Sequence, residues 1–376
     1  MSDWSRVRKH IHQHPELSGE EAQTAKFLLE QFAPLKPDRM YTGLGGQGIA
    51  LCFDSGLAGP NVLFRAELDA LPIHEVNDFS HRSIHDGISH KCGHDGHMAI
   101  ILALAEKIAM TRPARGSATL LFQPAEETGE GAIAVVEDPQ YSEFKPDYCF
   151  ALHNLPGHPL GQVLIRAGSF NCASRGMTIE FNGRTAHAAH PETGISPANS
   201  IAQLMQELPS LARELPFDEL TMLTLIHCSM GEQAFGTSPG AGKLLATLRC
   251  ETNPAMDALV EAVTARAREL AARDQLSISF SWHDIFNASV NDQECAERVA
   301  SAAEHCGNDV VWLDAPLRWS EDFGALSQSS RGAMFAFGAG ERTPQIHNPD
   351  YDFPDTLIDQ GRDIFYKIYS DLLLEV

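Results

Sequence analysis

The chain has 376 residues and a mass of 41.1 kDa, which exceeds one ordinary hydrophobic core and favours two domains. Its hydrophobic content of 43% and charged content of 21% are those of a globular protein, and no apolar run approaches the roughly 18 residues that span a bilayer. The 28 basic and 50 acidic side chains give a net charge of −22, which argues against nucleic acid and anionic membranes as partners.

The N-terminal stretch predicts a helical start and no targeting segment. Trp4, Val7 and Ile11 form an amphipathic pattern, and the apolar core of a secretory signal is missing, so we expect a cytoplasmic protein. Ser18 and Glu21 match the capping box of a helix that runs to residue 32.

Short apolar strands then alternate with helices. The predicted elements are strands 48–53 and 61–68, a buried helix 95–110, and strands 118–122 and 148–153. This alternation predicts a mainly parallel sheet covered by helices, the α/β class.

From about residue 175 the order of elements changes. Strand 176–181, helix 197–215, strands 221–229 and 243–251, helix 254–273 and strand 276–282 follow one another. This βαββαβ order is that of a ferredoxin-like domain. After residue 286 the α/β rhythm resumes, so we predict a catalytic domain of residues 1–174 and 286–376 with an inserted lid or dimerisation domain of residues 175–285.

Cysteine usage argues against a disulfide framework. The eight cysteines lack tight spacing, and seven of them are interpreted as small, mostly buried hydrophobic residues. The exception is Cys92, because it lies in a stretch unusually rich in histidine.

The segment from His90 to His97 reads His-Lys-Cys-Gly-His-Asp-Gly-His and carries the strongest local signal. Cysteine thiolate and imidazole are ligands for Zn, Mn, Co or Ni, and the helix that follows would hold them rigidly. Cys92 and His94 are therefore candidate metal ligands. Asp95 is interpreted as a helix N-cap, and His97 and His190 as loop or helix-start residues.

Four more candidate residues follow apolar strands or lie in a His-Asn-Pro stretch. Glu126 and Glu127 come directly after strand 118–122, His153 ends strand 148–153, and His347 precedes Asn348. Each alone is weak, but the carboxyl ends of parallel strands converge on one crevice. Asp69 also follows an apolar strand, so it is expected at the same place.

Taken in order, the motifs resemble those of co-catalytic metallopeptidases of the aminoacylase type, peptidase family M20, in the branch of hippurate and indoleacetyl-amino-acid hydrolases. The resemblance runs nearly end to end. The matching motifs are His12–Leu17, Arg65–Pro72, Cys92–His97, Gln123–Glu127, Leu152–His153, Ala186–Ala189, Ser320–Phe323 and His347–Pro349.

The resemblance implies roles for individual residues. Two divalent ions, Mn²⁺ or Zn²⁺ with Co²⁺ or Ni²⁺ as alternatives, would be bound by five ligands: Cys92, His94, Glu127, His153 and His347. Glu126 would be the catalytic base and Asp69 would orient a ligand, which agrees with the chemistry of metal-assisted hydrolysis.

It also implies functions for the inserted domain. His187 would stabilise the tetrahedral oxyanion, often from a neighbouring subunit, so we expect a homodimer formed through the inserted domain. Arg249 matches a family arginine and is a candidate partner of a substrate carboxylate, with a plain surface arginine as the alternative.

This sequence differs from the family pattern in three places. Glu67 stands where relatives often have Asp, residues 76–89 follow no usual pattern, and Phe235–Pro239 replaces an Asn-Val-Ile-Pro stretch near the substrate. The last two departures are expected to affect substrate specificity more than the chemistry of hydrolysis.

The predicted function is metal-dependent hydrolysis of N-acyl amino acids or similar small amides.

Three other functions can be compared with this prediction. A dipeptidase of the same family would require a free substrate amine, and a non-catalytic receptor for acylated amino acids would be marked by loss of Glu126 or a ligand, which is not seen. A phosphate site at the glycine-rich run 43–48 is discarded, because that run precedes a strand instead of opening a helix.

Overall fold

Two sets of secondary-structure elements are present in the computed structural model, which describes residues 3–374. The first unit comprises the chain up to Phe170, then Ser289–Pro316, and the chain from Glu321 on. The second unit comprises Asn171–Ala288 and Leu317–Ser320. The sequence placed the divisions at 174/175 and 285/286. The short return of Leu317–Ser320 to the second unit has no signal in the pattern of helices and strands.

The helices and strands are numbered in chain order. The α-helices are α1 (Trp4–Gln13), α2 (Ala22–Phe32), α3 (His94–Met110), α4 (Gly131–Glu137), α5 (Ala198–Glu214), α6 (Asn253–Arg273), α7 (Gln293–His305), α8 (Gly324–Ser329) and α9 (Thr356–Leu373). The strands are β1 (Arg39–Leu44), β2 (Gly48–Asp54), β3 (Asn61–Glu67), β4 (Ser117–Gln123), β5 (Tyr148–Leu155), β6 (Val163–Ile165), β7 (Gly168–Asn171), β8 (Ala173–Asn182), β9 (Ala186–His187), β10 (Thr221–Met230), β11 (Thr237–Ser238), β12 (Ala241–Cys250), β13 (Ser277–Phe286), β14 (Ser289–Asn291), β15 (Val310–Trp312) and β16 (Arg331–Gly338).

The first unit is built on an eight-stranded sheet of order β1-β2-β4-β3-β5-β16-β6-β15. Its centre, β4-β3-β5-β16, is parallel, whereas β1, β2 and β4 are joined by antiparallel pairs and β6 runs antiparallel to β16. Every residue of β4 is buried, as in a sheet that helices cover on both faces. The predicted α/β fold with a mainly parallel sheet is confirmed.

Helix α3 is the central helix of this unit. It packs against α1 and α9, and nearly all of its side chains are buried. A helix that is apolar all round belongs in a core, so its first turn is held rigidly. Among residues 3–374, no helix combines the length and the apolar character needed to cross a bilayer.

The second unit is a four-stranded antiparallel sheet of order β10-β12-β8-β13 with helices α5 and α6. Alternate residues of β8, such as Met177, Ile179 and Phe181, are buried in one core with Leu259 and Val263 of α6. The βαββαβ order and this strand order are ferredoxin-like, as predicted.

Two helix starts differ from the prediction. Ser18 and Glu21 do not form a capping box, because α2 begins at Ala22 without a side-chain cap and the Ser18 hydroxyl donates to Asp69 at 2.7 Å. Asp95 is not an N-cap either, because α3 begins at His94 after Gly93. Its carboxylate is buried and accepts hydrogen bonds from Arg8 and His12.

Candidate metal centre

The five predicted metal ligands meet in the first unit, at the carboxyl edge of its parallel strands. Cys92 and His94 flank the start of α3, Glu127 follows β4, His153 lies in β5, and His347 follows β16. The ligand atoms of Cys92, His94 and His153 lie within 4.8 Å of one another, as do those of Cys92, Glu127 and His347. The two groups share Cys92, so the donors could hold two neighbouring ions.

The glycine between Cys92 and His94 is required by space. Gly93 has a φ of 102°, and a Cβ atom there would lie 2.3 Å from Asn154 Oδ1. A residue with a side chain would therefore push the Cys92–His94 turn away from β5.

The polar atoms of this cluster lack the partners that buried groups normally have. Within the described residues, His94 Nε2 and Glu127 Oε1 are buried without a hydrogen bond, and they lie 3.9 Å apart. His347 Nε2 lies 3.7 Å from the same Glu127 oxygen. Buried donors and acceptors are otherwise nearly always paired, and sulfur, imidazole and carboxylate together suit Zn²⁺ or Mn²⁺. The residues therefore fit a divalent cation.

The electrostatics of the cluster favour a cation as well. Burial, together with the charges of Glu127 and Glu126, raises the pKa of the Cys92 thiol well above its usual range. Burial raises the pKa of Glu127 to about 7, and burial together with the charge of the nearby Glu321 raises the pKa of Glu126 well above its usual range. Each of these groups is costly to ionise alone, so a bound cation would stabilise their charged forms.

Glu126 lies beside the ligand cluster, and within residues 3–374 it makes no ion pair with Arg or Lys. Its Oε2 is 3.6 Å from His94 Nε2, and its side chain is buried. A second acidic pair, Glu321 and Asp322, lies close to Glu126, and ligand atoms of the three carboxylates lie within 4.8 Å of one another. Glu126 thus has the setting of a carboxylate that can accept and release a proton.

Asp69 connects two of the candidate ligands. Its Oδ2 accepts the Glu127 N–H at 2.9 Å, and its carbonyl oxygen lies 2.8 Å from His94 Nδ1. That carbonyl can only accept, so His94 carries its proton on Nδ1 and directs the lone pair of Nε2 toward the cluster. Asp69 is in the place predicted for a residue that orients ligands.

Sequence reasoning missed the support that His97 gives to this site. His97 is buried, and its ring contacts Glu67 Oε2 and Asn154 Oδ1, each at 2.6 Å. Asn154 in turn donates to the Cys92 carbonyl at 3.0 Å. The available signal was spacing, because His97 lies one helical turn after His94 in α3.

The two remaining predicted residues, His187 and Arg249, lie in the second unit. His187 is exposed on β9, and its Nδ1 accepts the Ala189 N–H at 3.0 Å. The proton of its neutral ring is therefore on Nε2. Arg249 of β12 is partly buried, and its Nη1 donates to Ser320 Oγ at 2.7 Å and to the Arg318 carbonyl.

Comparisons with known proteins agree on one family. The family model for Peptidase family M20/M25/M40 matches residues 63–371. Hippurate hydrolase of Campylobacter jejuni subsp. jejuni is 26% identical over 98% of this chain and 96% of its own length, and N-acetyl-L-cysteine deacetylase of Bacillus subtilis is 30% identical over 98% and 87%. Among solved structures, a Bacillus subtilis dinuclear metal binding peptidase from the M20 family has a TM-score of 0.84 at 23% identity, covering 99% of this chain and 98% of its own.

Proposed function

Because the chain belongs to peptidase family M20/M25/M40 and is a metal-dependent amidohydrolase, we propose that it hydrolyses N-acyl amino acids to a carboxylic acid and a free amino acid. The main support for this proposal is that Glu126 lies next to a buried cluster of side chains that can bind metal ions. The relatives named hippurate hydrolase and N-acetyl-L-cysteine deacetylase support the substrate class.

We infer that Cys92, His94, Glu127, His153 and His347 bind two divalent ions, Mn²⁺ or Zn²⁺, with Co²⁺ or Ni²⁺ as alternatives. Such ions supply Lewis acidity and make water acidic enough to deliver a nucleophile near neutral pH. The two donor groups that share Cys92 support a pair of ions, as does the similarity to the dinuclear metal binding peptidase of Bacillus subtilis.

Glu126 is proposed as the general base and acid. It takes the proton of the attacking water as the oxygen adds to the amide carbonyl, and it returns that proton to the nitrogen as the C–N bond breaks. The described part of the chain gives Glu126 no Arg or Lys partner, which supports this role, because a salt bridge would lower the pKa of the carboxylate and weaken it as a base. Asp69 keeps His94 and Glu127 oriented during these steps.

The second unit supplies groups that contact substrate in this proposal. His187 is a hydrogen-bond donor through Nε2, the tautomer that suits an oxyanion. Arg249 uses Nη1 for its two hydrogen bonds to the chain, so among the described residues its Nε and Nη2 edge remains for a substrate carboxylate.

We propose a homodimer in which His187 serves the partner's site. Mixing inactive Glu126→Gln and His187→Ala chains tests this directly. If His187 acts across the dimer, random pairing restores about a quarter of wild-type activity, because half of the dimers carry one complete site. If His187 acts within its own chain, mixing restores nothing. A scattering mass of a single 41.1 kDa chain for active protein would contradict the dimer.

Two other functions predict different results. A dipeptidase needs a free amine on its substrate, and a non-catalytic receptor binds acylated amino acids without turnover. The test is turnover of N-acetyl, N-benzoyl and indoleacetyl amino acids beside dipeptides, using protein stripped of metal and resupplied with Mn²⁺, Zn²⁺, Co²⁺ or Ni²⁺. We expect metal-restored release of amino acid from the blocked substrates. Cleavage of dipeptides alone would favour the dipeptidase, and binding without cleavage would favour the receptor.

A further inference from the structure

The segment Glu16–Glu21 contacts both loops that carry the candidate catalytic carboxylates. The Ala125 N–H donates to Glu21 Oε1 at 2.8 Å, directly before Glu126. The Ser18 hydroxyl donates to Asp69 Oδ2 at 2.7 Å, and the Ala70 N–H donates to the Glu16 carbonyl at 2.8 Å. One short segment therefore fixes the loop after β4 and the loop after β3.

The turn held by Glu21 has an unusual backbone. Ala125 has a φ of 50°, in the left-handed region that residues with a side chain rarely adopt. On its other side, the Gly131 N–H donates to the Ala125 carbonyl at 3.1 Å. A Cβ atom at Gly131 would lie 1.6 Å from the Pro124 carbonyl oxygen, so the turn is closed tightly at this end. A strained conformation of this kind persists only where its surroundings hold it, and such residues concentrate at functional sites.

The Glu21 side chain does not cap α2, the role that its position in the sequence suggests. Instead, Glu16 accepts the N–H groups of Gln23 and Thr24 at 3.2 and 2.7 Å. The Glu21 carboxyl is buried, and its Oε1 accepts the N–H groups of Gly19 and Ala125. Burying a carboxyl group has a cost that a solvated helix start would avoid. The two hydrogen bonds that Glu21 accepts, from Gly19 and Ala125, offset part of this cost.

We propose that Glu21 is a positioning residue for the proton transfer: by accepting the Ala125 N–H it holds the left-handed turn that aims Glu126 at the substrate. Ser18 acts in the same way through Asp69, which holds the Glu127 N–H. The proposal rests on the proposed role of Glu126. It concerns the acceptor oxygen of Glu21 and not its charge.

Three variants test it. Glu21→Ala removes the acceptor, so the Ala125 turn relaxes and kcat falls about 10- to 100-fold, as for other residues that orient catalytic groups, with KM almost unchanged. Glu21→Gln keeps an oxygen for Ala125 and Gly19, so kcat stays close to that of the wild type. Thr24→Ala is the matched control, because it removes a hydrogen bond to Glu16 at the start of the same helix without touching the turn.

The second readout is hydrogen exchange of the amides between residues 124 and 131, which needs no substrate. Protection is expected to fall in Glu21→Ala and to persist in Glu21→Gln and Thr24→Ala. If the wild type hydrolyses none of the N-acyl amino acids, the proposed function fails. The hydrogen-exchange result would still decide whether Glu21 holds the Ala125 turn. Equal kcat in Glu21→Ala and wild type, or equal losses in Glu21→Ala and Thr24→Ala, would overturn the proposal.

Discussion

The two units hold their candidate functional residues in opposite ways. In the first unit, Cys92, His94 and His153 are buried, and Asp69, Asn154 and His97 hold the chain around them. In the second unit, His187 is exposed on a two-residue strand that pairs only with β11 among the described residues. The first arrangement suits chemistry that needs fixed geometry, and the second suits groups that must meet a substrate arriving from solvent.

His347 is the exception in the first unit, because its side chain is 49% exposed. Its position is fixed through the backbone instead. It has a φ of 66°, and its N–H donates to the Lys91 carbonyl at 2.7 Å. The Lys91 ammonium is in turn buried against Glu75 at 2.6 Å. We therefore expect substitutions in the first unit to impair metal binding or proton transfer. Substitutions in the second unit should instead impair substrate binding or stabilisation of the oxyanion.

Replacing Glu126 by Gln should have the largest effect. The variant keeps the size of the side chain but cannot accept the proton, so we expect kcat to fall about 100- to 10,000-fold. Metal content, measured by plasma mass spectrometry, should remain that of the wild type. Full turnover with metal retained would show that another group is the base.

Replacing His187 by Ala should lower kcat about 100- to 1000-fold, the loss seen when one oxyanion donor is removed. Because His187 lies in the second unit, metal affinity should be unchanged, which a chelator competition measures. His190→Ala, three residues away and also exposed, is the control and should keep its activity. A change in metal affinity in His187→Ala would show that the second unit also contributes to metal binding.

Replacing Asp69 by Asn should lower metal affinity or activity about 10- to 100-fold, because the oriented bond to the Glu127 N–H is weakened. The same chelator competition and steady-state kinetics give both quantities. Wild-type values for both would show that Asp69 is only a structural residue.

Replacing Arg249 by Ala should have the smallest effect, a rise in KM of roughly tenfold from the loss of the charge-assisted contact with the substrate carboxylate. Kinetics with substrates that carry a free or an amidated α-carboxyl group show how much of the KM change comes from recognition of the carboxylate. The wild type should prefer the free acid, and the variant should lose that preference. An unchanged preference would leave Arg249 with its bonds to Arg318 and Ser320 only.

Much of the fold could be predicted because its signals are local. The buried helix α3, the apolar strands β3, β4 and β5, and the βαββαβ order can be recognised from runs of apolar residues and their spacing. The antiparallel edge strand β1 was missed, since Arg39–Leu44 is mostly exposed and carries no apolar run.

The supporting residues of the site could not be predicted, because their partners are distant in the chain. Ser18 and Glu21 fit a local capping pattern, yet Ser18 bonds to Asp69, 51 residues away, and Glu21 accepts from Ala125, 104 residues away, as well as from the nearby Gly19. Asp95 fits an N-cap, yet it lies in the core against Arg8 and His12. Only the tertiary structure selects between a local and a long-range partner for the same carboxylate.

In the proposed mechanism, two ions in the first unit drive amide hydrolysis, so a metal titration should show whether both are required. Stripped protein would be titrated with Mn²⁺ or Zn²⁺ while bound metal per chain and turnover of an N-acyl amino acid are followed together. We predict that activity is absent without metal and reaches its plateau at two ions per chain. Turnover in the stripped protein, or a plateau at a single ion, would show that hydrolysis does not depend on two ions.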